Sequence, residues 1–152
     1  MRVRHSPAGV TLIESLVILV VVGILSSLSI PSLKPFIERA RVRGTLDRLS
    51  GELYQARVLA VRAGTRVQIR FVPDSGCADA YELVRADLGT LVHRVTVADE
   101  APGVCLSSNV ARSFSIDSRG LLIGSARTVF ARAGDQRDSL IISMVGRVLR
   151  SE

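Results

Sequence analysis

The chain has 152 residues, a formal net charge of +6 and a hydrophobic fraction of 47%. This length suits one small domain with an attached segment and argues against two domains. The positive charge comes from nineteen arginines and Lys34, scattered along the chain, so a solvated basic surface and an anion-binding face both remain open. The chain lacks tryptophan and is only 4% aromatic, which argues against a stacking platform for single-stranded nucleic acid.

The first predicted element is an apolar segment at residues 10–30, which follows a short flank containing Arg2 and Arg4. A helix of these 21 residues is roughly 31 Å long and matches a bilayer core of about 30 Å. Positive charge in the flank favours a cytoplasmic amino terminus, with the rest of the chain on the other side. We therefore predict a transmembrane helix at residues 10–31.

Glu14 is the unusual residue of this segment, because a carboxylate inside a membrane span is costly and is usually functional. A secretory signal peptide, the first alternative, has a shorter apolar region. A simple anchor is the second alternative, and it leaves the carboxylate unexplained. Cleavage after Gly9 would create a terminal ammonium on Val10 at about the membrane depth of Glu14. The Glu14 carboxylate of one subunit could then neutralise the amine of a neighbour and promote assembly inside the bilayer.

The stretch GVTLIESLVILVVVGIL resembles the leader junction and amino-terminal helix of type IV pilins and type II secretion pseudopilins. The resemblance implies that residues 1–9 are a leader, which a prepilin peptidase removes between Gly9 and Val10. It further implies N-methylation of Val10 and a role of Glu14 in assembly with other pilin or pseudopilin subunits. The remaining chain is then periplasmic, anchored in the inner membrane and incorporated into a pilus or pseudopilus. The family usually has Phe or Met where this chain has Val10.

Gly23 and Pro31 mark an expected break in this first helix. Glycine and the serines that follow it are weak helix formers, and proline removes a hydrogen bond to the preceding turn. An ordinary helix that kinks at Pro31 is one interpretation. The pilin resemblance favours the other, a segment that unwinds when subunits pack into a filament. Pro35 adds an expected break or bend near residues 31–35.

Residues 32–63 predict an amphipathic helix, because apolar residues recur at spacings of three and four and so share one face. Gly64 is the expected C-cap. The helix is expected to pack this face on the β-rich region that follows it. The face comprises Leu46, Leu49, Leu53, Ala56 and Ala60.

Residues 65–150 predict a β-rich region, because alternating apolar and polar residues are separated by Gly, Asp and Pro. A long helix followed by antiparallel strands is an α+β fold, with a globular domain at residues 32–152. Strands are expected at residues 65–72, 80–86, 91–97, 112–117, 128–132 and 139–145.

Three passages narrow the resemblance to the GspH/FimT family of minor pilins and pseudopilins. LSGELYQARVLAVRAGTRVQIRF is similar to that family's passage from helix to first strand, and FSIDSRGLL to a strand–turn–glycine passage. SMVGRVLR, at residues 143–150, is similar to its last strand, which ends in Gly-Arg. The resemblance implies a type IV pilin-like fold, while residues 73–111 carry no diagnostic pattern.

Cys77 and Cys105 are the two cysteines, and their spacing is not that of a zinc site. A disulfide is the expected state if this part of the chain lies outside the cytoplasm. Two buried free thiols are the alternative.

The sequence contains no catalytic constellation and implies no cofactor or metal. His5 lies in the leader and His93 stands alone in a strand pattern, and a lone histidine is more often structural than catalytic. We therefore expect a binding or structural protein.

Two functions remain open within the family. One is a FimT-like minor type IV pilin that binds DNA during natural transformation, through a carboxy-terminal Gly-Arg-x-Arg motif. Gly146 and Arg147 match that motif, but Leu149 holds the second arginine position and Arg150 comes one residue later. On one strand, residues three apart do not share a face. The other function is a GspH-like minor pseudopilin with a purely structural role in type II secretion.

Arg132 and Arg137 precede the last predicted strand and could join Arg147 and Arg150 in a basic patch. Phosphate binding by such arginines would be electrostatic, salt-sensitive and largely independent of base sequence. The alternative is that the carboxy-terminal arginines only solvate the chain end.

Overall fold

The computed structural model describes residues 10–73 and 76–151, without the side chains of residues 27–32 and 151. The leader, including Gly9, therefore lies outside the described residues. The chain divides into two compact units between Lys34 and Pro35. The described elements are α1 Leu12–Ala63, β1 Val67–Val72, β2 Ala80–Arg85, β3 Thr90–Thr96, α2 Val97–Glu100, β4 Cys105–Ser108, β5 Ser113–Ile116, β6 Arg127–Ala133, β7 Gln136–Ile142 and β8 Val148–Ser151.

Helix α1 continues without interruption through Gly23, Pro31 and Pro35, so the break expected near residues 31–35 is absent from this structure. A helix can pass through a proline, at the cost of one backbone hydrogen bond and of crowding at the carbonyl four residues earlier. Unwinding in an assembled filament is a separate matter and stays a prediction. Within the part of the chain that the structure describes, no helix combines the length and the apolarity of a membrane span.

The carboxy-terminal half of α1 packs the predicted apolar face on the sheets. Gly64, at φ +61°, ends the helix as expected. Its N–H donates to the Val61 carbonyl, and the Thr65 N–H donates to the Ala60 carbonyl, which is the Schellman pattern. The predicted face is buried in full and extends one turn earlier, to Val42; it consists of Val42, Leu46, Leu49, Leu53, Ala56 and Ala60.

The strands form two antiparallel four-stranded sheets, in the orders β3-β2-β1-β5 and β4-β6-β7-β8. Cys77 and Cys105 form a disulfide, which joins the segment before β2 to the first residue of β4. A bridge between Ala78 and Leu106 lies beside it, so the two sheets are linked covalently and by backbone hydrogen bonds. The prediction of a disulfide is confirmed.

The hydrophobic core lies between the buried face of α1 and the inner faces of both sheets. In β1 every second side chain, from Val67 to Phe71, is buried, as the alternation predicts. The Phe71 ring packs 6.2 Å from the Phe114 ring of β5. The second sheet contributes Leu106, Val129, Ala131, Ala133, Leu140 and Ile142.

Three details of the strand prediction were wrong. Strand β4, with the sequence CLSS, was missed because four residues with adjacent serines carry no alternation. The strand expected at residues 139–145 instead spans Gln136–Ile142, and a turn follows it. Gly146 and Arg147 lie before the last strand, β8, and do not end it.

Candidate functional site

The amino-terminal end of α1 is a capped helix start that carries Glu14. The Glu14 N–H donates to Thr11 Oγ1 at 3.3 Å, and the Ser15 hydroxyl donates to the Thr11 carbonyl. Thr11 and Glu14 therefore have the spacing of a capping box, a signal the sequence reasoning missed. The carboxylate lies in the first turn, where it complements the positive end of the helix dipole.

The large apolar side chains that follow Glu14 are exposed in the isolated chain. Their exposure runs from 48% at Val21 to 71% at Leu19. These side chains occupy consecutive positions and so surround the helix, and an exposed apolar surface of this size marks an interaction site. Val10, the predicted mature amino terminus, is also exposed, at 68%.

Arg132 and Arg137 lie directly opposite each other on the neighbouring strands β6 and β7. Both are exposed. Arg132 Nε donates to the Gly134 carbonyl at 3.1 Å, and the Arg137 guanidinium lies 4.4 Å from the centre of the Phe130 ring. The structure thus brings these two predicted residues together.

Arg150 is held by two carboxylates. Its Nε and Nη2 donate to Asp138 Oδ2 at 2.9 and 2.6 Å, and its Nη1 donates to Asp47 Oδ1 of α1 at 3.1 Å. The side chain is 31% exposed. Arg150 therefore ties β8 to β7 and to the helix, and phosphate contact would require it to leave two ion pairs.

Arg147 and Arg150 lie in different elements, because β8 begins at Val148. Arg147 is exposed in the turn before β8, where its N–H donates to Ser143 Oγ at 2.9 Å. Arg150 pairs with the buried Leu140 and faces the helix. The sequence allowed one phosphate track through both arginines only if the strand ends or bulges between them, and such a track stays a prediction.

A cleft of about 690 Å³ brings arginines from both ends of the globular part together. Arg39 and Arg43 come from α1, and Arg39 Nε donates to Gln136 Oε1 at 3.1 Å across a separation of 97 residues. Sequence reasoning missed both, because helical arginines so far from the chain end give no local signal. We call this surface the arginine cleft; it is lined by Arg39, Val42, Arg43, Phe130, Gln136, Arg137, Asp138, Ser139 and Arg150.

The three passages that carry the GspH/FimT resemblance meet at Arg57. A Cβ on Gly120 would lie 2.8 Å from Arg57 Nε. A Cβ on Gly146 would lie 3.0 Å from the Gly120 carbonyl oxygen and 3.1 Å from Arg57 Nη1. Both glycines also have positive φ, at +80° and +75°. These motif residues therefore have a structural role, because they let the turns at Gly120 and Gly146 pack against Arg57 of the helix.

Asp117 shapes the turn that presents Gly120. Its Oδ1 accepts hydrogen bonds from the N–H groups of Leu121 and Arg119, at 2.8 and 2.9 Å. These bonds, led by that of Leu121 and supported by the Arg119 guanidinium, hold the pKa of the carboxyl below its usual range.

His93 is not isolated in space, because its Nε2 lies 3.7 Å from Oε1 of the buried Glu52. Tyr81 is buried nearby, and this burial, reinforced by the Glu52 carboxylate, raises the pKa of its hydroxyl. Among the described residues no group of three metal-ligating side chains is present. These groups lie at the contact between α1 and the first sheet and support its packing.

The fold is similar to that of several solved structures. The type IV minor pilin FimU of Pseudomonas aeruginosa matches with a TM-score of 0.64 and 19% identity, over 78% of this chain and 93% of that one. A second crystal form of FimU matches with a TM-score of 0.60 and 15% identity, over 72% and 92%.

The minor pseudopilin EpsH, from the type 2 secretion system of Vibrio cholerae, matches with a TM-score of 0.57 and 13% identity, over 73% of this chain and 96% of that one. No protein-family model and no curated protein matches the sequence. The chain therefore has the pilin-like α+β fold that minor pilins and minor pseudopilins share; at these identities the likeness establishes the fold.

Proposed function

We propose that this protein is a non-enzymatic structural subunit of a type IV pilin-like filament. The observation that carries the proposal is the combination of a capped, exposed apolar helix with a globular domain of the FimU and EpsH fold. The apolar surface after Glu14 needs a partner in lipid or protein, and a filament of packed helices provides one.

Before assembly, residues 10–31 anchor the protein in the inner membrane, with the globular domain in the periplasm. The support for this part of the proposal is in the sequence alone, in the apolar run at residues 10–30 and the basic flank before it. A prepilin peptidase removes residues 1–9 at the Gly9–Val10 bond, and Val10 is N-methylated. The partners of the processed protein are then the other pilin or pseudopilin subunits.

Glu14 promotes assembly by pairing its carboxylate with the terminal amine of a neighbouring subunit. The Val10 amine exists only after cleavage, and it is a cation that the carboxylate of a neighbouring subunit can neutralise. An unpaired charge costs about 2.5–3.5 kcal/mol at the centre of a membrane span and less near its end, where Glu14 lies, so pairing stabilises the assembled state. The Thr11 cap is compatible with this contact, because its hydroxyl oxygen accepts from the Glu14 N–H and not from the Glu14 side chain.

Replacement of Glu14 tests this proposal directly. Glu14→Gln should be processed and inserted normally, but its incorporation into filaments should fall roughly tenfold or more, because the neighbour's amine loses its counter-ion. Quantitative immunoblotting of the sheared filament fraction measures incorporation, and immunoblotting of the membrane fraction measures processing and insertion. Thr11→Val is the matched control, since it removes the cap and keeps the carboxylate. Normal incorporation of Glu14→Gln, or an equal loss in Thr11→Val, would contradict the pairing.

Within this proposal we favour a FimT-like pilus subunit that also binds DNA. In the described structure Arg132, Arg137 and Arg147 are exposed and form no ion pair with a carboxylate, so they are available to phosphates. The alternative is a GspH-like minor pseudopilin of a type II secretion system, and the likeness to EpsH supports it.

Salt-dependent DNA retention distinguishes the DNA-binding pilus subunit from the minor pseudopilin. The triple variant Arg132→Ala, Arg137→Ala, Arg147→Ala of the detergent-solubilised chain should lose affinity, and its log–log salt slope should fall by about one per arginine that contacts a phosphate. Arg62→Ala, at another exposed arginine, is the control. Equal retention by wild type and triple variant would favour the pseudopilin alternative.

A further inference from the structure

We propose that Cys77 is the reaction site of a disulfide oxidant, which forms a mixed disulfide with Cys77 that Cys105 then resolves. The chemical class of the partner is a molecule with an exchangeable disulfide that can accept two electrons. The inference rests on the proposed function only in placing the domain in the periplasm, where disulfides form and persist.

The two cysteines differ in their access to such a partner. Cys77 is exposed in the segment between β1 and β2, whereas Cys105 is half-buried at the first residue of β4. Cys105 is also paired with Arg132 of the neighbouring strand β6. Thiol–disulfide exchange requires an attacking thiolate to reach one particular sulfur, so access helps to determine which cysteine reacts. The exposed Cys77 is therefore the cysteine that a bulky partner reaches first.

The backbone holds the two cysteines beside each other without the help of their sulfur atoms. Ala78 and Leu106, the residues that follow them, exchange two backbone hydrogen bonds at 3.2 and 2.9 Å, and both residues are fully buried. The Cα atoms of Cys77 and Cys105 are 5.2 Å apart, a separation that suits a disulfide. We therefore expect Cys105 to lie next to a mixed disulfide on Cys77 as soon as that bond forms.

Arg112 holds the loop that carries Cys77. Its Nη1 and Nη2 donate to the carbonyls of Pro73 and Gly76, at 3.4 and 2.6 Å, so its guanidinium lies beside the residue before Cys77. A cation near a thiol favours the reactive thiolate form. The exposed Asp79, two residues after Cys77, acts in the opposite sense. The assignment of Cys77 thus depends on its exposure and not on the local charge.

The reaction consists of two substitutions at sulfur. The Cys77 thiolate attacks one sulfur of the oxidant's disulfide, forms a new S–S bond and releases one thiolate of the oxidant. The Cys105 thiolate then attacks Cys77 Sγ, forms the Cys77–Cys105 bond and releases the second thiolate of the oxidant. The two cysteines lose two protons and two electrons, and the disulfide of the oxidant is reduced to two thiols.

Trapping of the mixed disulfide on the folded wild-type chain tests the proposal, because reduction by a thiol passes through the same intermediate in reverse. The full-length protein in detergent, with its disulfide intact, is exposed briefly to reduced glutathione. Excess N-ethylmaleimide stops the exchange, and peptide mass spectrometry locates the adducts. Glutathione on Cys77 with maleimide on Cys105 should exceed the reverse pattern roughly tenfold or more. Equal amounts, or an excess of glutathione on Cys105, would overturn the assignment.

Two single-cysteine variants measure the same difference in the direction of oxidation. Cys105→Ala keeps Cys77, and its matched control Cys77→Ala keeps Cys105. With oxidised glutathione, Cys105→Ala should form the mixed disulfide roughly tenfold faster than the control. The uncharged 2-hydroxyethyl disulfide should give the same order, since access determines it; a reversed order with this reagent contradicts the proposal. Circular dichroism shows whether both variants are folded, and if either is not, the trapping pattern of the wild type is the test.

The variant Glu14→Gln separates this inference from the proposed function. It should give the wild-type trapping pattern, because Glu14 lies in the other compact unit of the chain. If the filament proposal fails, Glu14→Gln is incorporated normally and the trapping pattern still favours Cys77. If the assignment of Cys77 fails, the trapping pattern changes and the incorporation of Glu14→Gln is still reduced.

Discussion

At the scale of single residues, Gly120 and Gly146 are required because the Arg57 side chain occupies the space beside them. Each glycine has positive φ, and each added Cβ would meet Arg57 or a backbone carbonyl at 3.1 Å or less. The sequence flagged all three residues only through their resemblance to a family pattern. The contact between them depends on how two distant turns reach the helix, and no local spacing encodes that.

Gly146→Ala should lower the free energy of unfolding by about 2–4 kcal/mol, since it adds a steric clash to the backbone strain of positive φ. Gly89→Ala is the matched control. Gly89 has a φ of +62°, but its added Cβ would meet nothing within 4 Å, so only the backbone strain applies. Denaturant unfolding followed by circular dichroism measures both variants. Equal losses would show that the contact with Arg57 contributes nothing.

Arg147 and Arg150 show how far sequence reasoning reaches at this scale. Residues three apart on a strand do not share a face, but in the structure Arg147 lies in the turn before β8 and Arg150 lies within that strand. The carboxylates that bind Arg150 could not be predicted, because Asp47 lies 103 residues away in the chain. Tertiary packing therefore gives the two arginines different roles.

At the scale of elements, the part of α1 that packs on the sheets contains two glycines that no contact in the isolated chain explains. Gly44 and Gly51 lie in the helix interior, both are exposed, and a Cβ at either position would meet nothing within 4 Å. Glycine in a helix interior is less favourable than alanine by about 0.8–1 kcal/mol. Their presence lowers the stability of α1 without any gain in packing.

Gly51→Ala should therefore raise the free energy of unfolding by about 1 kcal/mol. Gly64→Ala makes the same change at the positive-φ position that ends the helix, and it should lower stability by about 1–2 kcal/mol. Thermal unfolding of the two variants beside the wild type measures the difference. Shifts of the same sign would contradict this account of α1.

Hydrophobic periodicity predicted some elements of this fold and missed others. The apolar face of α1 and the alternation in β1 were predicted correctly, because both face a core and repeat over several turns or residue pairs. Strand β4 has four residues and only one fully buried side chain, Leu106, so its sequence carried no periodic signal. Its pairing with β6 determines that it is a strand.

At the scale of the whole molecule, the Cys77–Cys105 disulfide links the two sheets across 28 residues. Closing a loop of this length should stabilise the fold by about 3–4 kcal/mol through the entropy of the unfolded chain. Cys105→Ser should lower the free energy of unfolding by that amount, and the double variant Cys77→Ser with Cys105→Ser should lower it no further. A reductant should destabilise the wild type by a similar amount and leave the variants unchanged. If the reductant also destabilises the double variant, its effect on the wild type does not come from reduction of this disulfide.

The sequence by itself determined the apolar segment with its single carboxylate, the amphipathic helix that follows, its glycine cap and the β-rich remainder. These features are local, since periodicity, capping and turn chemistry are written within a few residues. Only the tertiary structure decided that the strands divide into two sheets and that Arg150 is held by carboxylates. It also decided that Arg39 and Arg43 join Arg137 in one cleft. Two of the contacts in these arrangements join residues 97 and 103 positions apart, and their energies depend on packing that no stretch of sequence contains.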